Sequence, residues 1–176
     1  MAPVGIHGAL LPVQERISNK TMSKKNTLFG SGYKIAAAAF PLLFAAFFIG
    51  RMSQEFCFRF VSKALLLGAG VGFMIIGGVI YLSSAVLIVR AYKSGSLVTG
   101  GPFAFSRNPM YASFVMFLVP ATSFIIDNWL MCAAVPFMYV IVNHFCGEEE
   151  VRLEERFGRE WRVYAQCTGK IIPRLR

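Results

Sequence analysis

Two polar stretches hold the residues able to do chemistry in this sequence: SRNPMY at 106–111 and GEEEVRLEERFGREWRVY at 147–164. In the first, Asn108 is a favoured helix N-cap, and Pro109 suits the next position, where an amide would be unpaired anyway. That explains a helix start, with Arg107 at the level of lipid headgroups. It explains neither Tyr111 nor the preceding Gly100-Gly101, which lets backbone lie close against another group. In the second stretch, Glu148, Glu149 and Glu150 follow an apolar run directly, at a boundary where basic residues are favoured on the cytosolic side. They read as a charged first turn favoured by the helix dipole, as an i,i+4 partner for Arg152, or as part of a site. Asn143 and His144 close the same apolar run. A polar residue at that depth is a functional candidate by default, although a solvated or capping role is open there too.

These residues need elements to position them, and composition says what kind. Of 176 residues, 56% are hydrophobic and 15% charged, against about a quarter charged in a soluble domain. The apolar residues come in runs, which identifies an integral membrane protein of all-α class. Four runs are candidate crossings: Ile35 to Gly50, Ala64 to Val89, Met110 to Ile126 and Trp129 to Phe145. The first is short for a crossing of roughly 17–25 residues, so it is expected to extend through Tyr33 or past Arg51. Asp127-Asn128 alone separates the last two, which predicts a tight helical hairpin. In the second run, Gly68 and Gly72 form a small-xxx-small pair expected to allow close helix approach.

The net charge of +9 raises the question of nucleic acid, but its placement answers it. Four crossings put fifteen Lys and Arg on one side and three on the other. The positive-inside rule makes the richer side cytosolic, with both termini, SRNPMY and the C-terminal tail on it. No nucleic-acid role is then needed. The organelle is open: an endomembrane in a eukaryote, the inner membrane in a bacterium. Leu153, Phe157, Trp161 and Tyr164 recur at steps of four, four and three, opposite Arg152, Arg156, Arg159 and Arg162. That pattern predicts a cytosolic, interfacial amphipathic C-terminal helix, which Gly158 can break in two. Cys57, Cys132, Cys146 and Cys167 form no CxxC pair, so neither a disulfide framework nor a metal site is expected. Residues 1–34 are expected to be a flexible basic tail, with Met22 an alternative start, and residues 35–176 a single membrane domain.

The order GSLVTGGPFAFSRNPMYASF, helical hairpin, EEEVRLEERFGREWRVYAQ and IIPR resembles the isoprenylcysteine carboxyl methyltransferase family. That family shares a superfamily with the phospholipid N-methyltransferases. The similarity covers residues 94–174, nearly half the chain. It implies S-adenosylmethionine as cofactor, bound without a Rossmann domain, and no GxGxxG follows a predicted strand here. Carried onto this sequence, the cofactor residues are Gly95, Ser96, Leu97, Val98, Phe103, Asn108, Pro109, Met110, Tyr111 and Glu149. Catalytic candidates are His144 and Tyr111. The resemblance further implies a lipidic or prenylated substrate that arrives from the bilayer; the oligomeric state is open.

Two residues depart from the prenylcysteine pattern: Asn108 stands where those members usually have His, and Phe145 where they carry an arginine for the substrate carboxylate. The leading expectation is a carboxyl-methyltransferase-like enzyme. A phosphatidylethanolamine-type N-methyltransferase and a catalytically silent membrane scaffold are the alternatives.

Overall fold

The structure, a computed structural model, describes residues 32–172. The tail at 1–31, and the Pro173-Arg174 end of the IIPR stretch, lie outside it. The chain forms helices α1 (Gly32–Met52), α2 (Lys63–Ser94), α3 (Pro109–Ile125), α4 (Trp129–Phe157) and α5 (Arg159–Cys167). No strand occurs among the described residues. Helices α1, α2 and α4 are long and apolar enough to cross a membrane, whereas α3, at 17 residues, is apolar but shorter. Phe40, Phe44 and Phe48 stack along the outside of α1, and only 11% of the apolar window of α2 is buried. Such an apolar exterior suits lipid, and the molecule is an integral membrane protein.

As expected, α1 extends past Ile35–Gly50 at both ends. Other boundaries differ. The fourth run does not stop at Phe145: α4 continues to Phe157, so the three glutamates lie deep within a helix and form no first turn. Gly158, at φ 54°, then breaks the amphipathic stretch and starts α5 afresh. Proline shapes the hairpin helices. Pro120 has no N–H for the carbonyl one turn back, and α3 widens into a π turn in which the Val119 amide reaches the Phe114 carbonyl. Pro136 likewise goes with a break in α4 at Ala134.

The Asp127-Asn128 hairpin is present, and it anchors one end of the bundle. Asp127 takes a left-handed φ of 55°, and its Oδ1 accepts from the Phe58 amide at 2.9 Å. The buried Asn128 side chain donates to the Ala46 carbonyl of α1 (3.1 Å) and accepts from the Leu130 amide (3.1 Å). At the opposite end, the 95–108 loop meets α4, α5 and the segment after α5. Between the ends, Ile35, Ala39, Val115, Met138, Val142 and Cys146 form a buried core together with Ile171.

The close-approach glycines are a correction. A Cβ on Gly68 or Gly72 would meet nothing within 4 Å, whereas one on Gly70 would hit Ile125 and one on Gly77 would hit Phe117 and Leu118. At about 100° per residue, positions 70 and 77 share a face and 68 lies on nearly the opposite one. The α2–α3 interface therefore uses a spacing of seven.

Candidate functional site

Helix α1 rests on α4 and α2 on α3, so α1 and α2 do not pack along each other. Between them opens a cleft of about 500 Å³, within the usual range for small-molecule sites. Its walls are apolar: Ile35, Ala39 and Leu43 from α1, with Phe114 from α3. Phe40, largely exposed, stands at its mouth. The polar groups reaching it are Tyr81 of α2, Tyr111 of α3 and Glu149 of α4, beside Met110.

Glu149 is the unusual member. Its Oε2 is fully buried and has no hydrogen-bond partner among the described residues. A buried carboxylate oxygen left so is costly, on the order of 1–3 kcal/mol or more. Among the described lining residues it is the sole charged group. An apolar cleft with a carboxylate of which one oxygen is buried without a hydrogen-bond partner, and two phenols, is suited to a ligand that carries a cation or hydroxyl and is otherwise shielded from water.

Three consecutive residues of a helix point about 100° apart, and the three glutamates use this. Glu148 accepts from Lys34 Nζ of α1 at 2.6 Å, and Glu149 faces the cleft. Glu150 pairs with Arg107 Nε at 2.8 Å. The i,i+4 expectation for Arg152 holds as attraction between its charge and Glu148, and its Nε also donates to the Glu148 backbone carbonyl at 3.1 Å.

Within SRNPMY, Pro109 opens α3 as expected, but Asn108 makes no side-chain cap bond. Its Nδ2 donates instead to the Lys170 carbonyl at 3.1 Å. Arg107 does not reach outward to headgroups. It turns inward, and its Nη1 donates to the Ala165 and Thr168 carbonyls as well.

Met110, Tyr111 and Glu149 thus come together in the cleft; Asn108 and Pro109, which start the helix, are not among its lining residues. Gly95 to Val98 are not among the residues lining the cleft; Gly95 caps α2 at φ 71°, and Ser96 shares a hydroxyl contact with Ser94. Phe103 is buried, and its carbonyl accepts from the Tyr164 hydroxyl at 2.7 Å. Burial pushes the Tyr164 phenol up to about 12, so it stays a donor at neutral pH. His144 is exposed, packs edge-on to Phe145 with ring centroids 5.2 Å apart, and does not line the cleft. Sequence reasoning missed Tyr81, Lys34 and the α1 wall. A tyrosine midway along an apolar run was the one available signal for Tyr81.

A family model described as phospholipid methyltransferase matches residues 58–160. No curated protein and no solved structure matches the chain.

Proposed function

Since this chain belongs to the phospholipid methyltransferase family, we propose that it transfers a methyl group from S-adenosylmethionine to a lipidic acceptor entering the cleft from the bilayer. The observation that carries this reading is the orphaned Glu149 Oε2 in an apolar cleft, beside the start of α3. The residues fit the cofactor. Glu149 would hold its ammonium group or a ribose hydroxyl, and the first amides of α3, near Met110 and Tyr111, would suit its carboxylate. When bound, S-adenosylmethionine supplies a methyl carbon already activated by a sulfonium centre. What remains for the protein is alignment and exclusion of water, which Ile35, Ala39 and Phe114 serve.

The lining favours an amine acceptor over a carboxylate. No cationic side chain lines the cleft among the described residues, and Phe145 packs against the core. An amine must lose a proton before it attacks; Glu149 is the one carboxylate lining the cleft among the described residues that can take it, and the Tyr111 hydroxyl can hydrogen-bond the amine. A carboxylate acceptor keeps the support of the FGREWRVY stretch, which resembles the carboxyl-methyltransferase side. Membranes incubated with methyl-labelled cofactor decide between them. Base-stable label in phospholipid is the expected product; label released by base as methanol would mark an ester and reject the amine reading.

The reading goes with the four-crossing topology that the positive-inside rule predicts. Cys57 belongs to the end of the bundle near Asp127, and Cys167 to the end near SRNPMY. An impermeant thiol reagent applied to the cytosolic face of sealed vesicles is expected to label Cys167 and spare Cys57. Labelling of both from one face would contradict an odd number of crossings between them.

A further inference from the structure

We propose that Arg107 and Glu150 are positioning residues which, with residues 168–171, set Glu149 against the start of α3. This rests on the reading of the cleft as the cofactor site. Helix α4 meets α3 chiefly along Val119–Ile125, beside the hairpin, and more lightly at the Phe114–Leu118 turn, not at the first turn of α3 that faces the cleft. The segment after α5 fills that gap. On one side the Arg107 amide donates to the Gly169 carbonyl (2.8 Å), and Ser106 Oγ and Asn108 Nδ2 both donate to the Lys170 carbonyl. On the other side Lys170 Nζ donates to the Asn143 carbonyl of α4 at 2.7 Å, and Ile171, 1% exposed, packs into the core with Cys146.

Arg107 closes this frame. Its side chain is 14% exposed and that of Glu150 21%, so the pair is held largely away from water. Its planar fork bonds Glu150 on α4 through Nε and the Ala165 and Thr168 carbonyls through Nη1. Glu150 is one residue from Glu149, so a rotation of α4 that freed Glu150 would swing Glu149 with it. Ala165 to Lys170 lie beyond the stretch that the family model matches.

The test is calorimetric binding of S-adenosylmethionine to the full chain in lipid nanodiscs, together with KM and kcat. Glu149→Gln alone tests the underlying reading; unchanged binding in that variant would remove both. With Glu149 present, Glu150→Ala is expected to weaken binding about tenfold, carried by KM more than kcat. In a Glu149→Gln background the same change should cost less than about twofold, because Glu150 acts through Glu149. Arg107→Ala should behave alike, and the Arg107→Ala/Glu150→Ala double variant should be no worse than its poorer parent. An equal loss with and without Glu149 would overturn the proposal and make Glu150 a direct ligand. So would additive losses at Arg107 and Glu150. If Glu150→Ala does not fold, Glu150→Gln keeps an acceptor for Nε without the charge and enters the same comparison. It is expected to retain most of the affinity, and a loss as large as that of Glu149→Gln would also overturn the proposal.

Discussion

Glu149→Gln is expected to weaken S-adenosylmethionine binding by about 1.5–3 kcal/mol, the range for a hydrogen bond to a charged group, and to remove most of the activity. The folded state should respond in the opposite direction. The carboxylate has a buried oxygen with no hydrogen-bond partner among the described residues, and an amide of the same shape removes the charge that burial opposes. Thermal unfolding of the ligand-free protein in detergent should therefore occur at the same temperature or higher. Loss of binding together with retained or raised stability is the signature of a residue kept for a ligand. Glu154→Gln serves as the control: its carboxylate is half exposed and pairs with Arg162 at 3.3 Å outside the cleft, and binding should hardly change. Equal losses in the two variants would mean that the acidic stretch acts through bulk charge.

Gly50→Ala should be the most damaging small substitution in the bundle. A methyl group there would fall on the Asn128 side chain. That side chain is 1% exposed and ties the Ala46 carbonyl of α1 to the Leu130 amide of α4. It cannot move without leaving buried polar groups unpaired. Overpacking and lost hydrogen bonds together predict a loss of about 2–4 kcal/mol. Gly72→Ala meets nothing within 4 Å, and is expected to be neutral or to stabilise α2 by about 0.5–1 kcal/mol through helix propensity. Unfolding midpoints of the two variants, measured side by side, check both. Similar midpoints would show that the Asn128 contact carries no stability.

What the sequence made legible was local. The Asp127-Asn128 hairpin could be read because two polar residues between apolar runs leave the chain little choice but to turn. Gly158 could be read as a break because glycine tolerates a φ of 54°. Met110, Tyr111 and Glu149 were legible through a resemblance, and they meet in one cleft. What escaped was decided by partners far along the chain. Asn108 looked like a cap because Asn before Pro usually is one; its partner is Lys170, 62 residues on. Arg107 looked like a headgroup contact because nothing nearby in sequence announced Glu150, Ala165 or Thr168. In α2, five glycines gave no way to choose the packed face, since residues on every side of that helix are apolar. The α1 wall of the cleft is isoleucine, alanine and leucine, which read the same whether they face lipid or ligand.

Residues 168–171 also set an order of events in biosynthesis. The contacts from Ser106 and Asn108 to Lys170 span 64 and 62 residues. The long apolar helices α1, α2 and α4 can enter the bilayer as they leave the ribosome, each satisfying its own backbone. At that stage Arg107 has not met Thr168, and the frame of the cleft is still open. Insertion and completion of the site are therefore separate steps, and the second waits on a segment translated after all the long helices. A released chain truncated after residue 160 should be membrane-integrated, resistant to carbonate extraction, and unable to retain the cofactor.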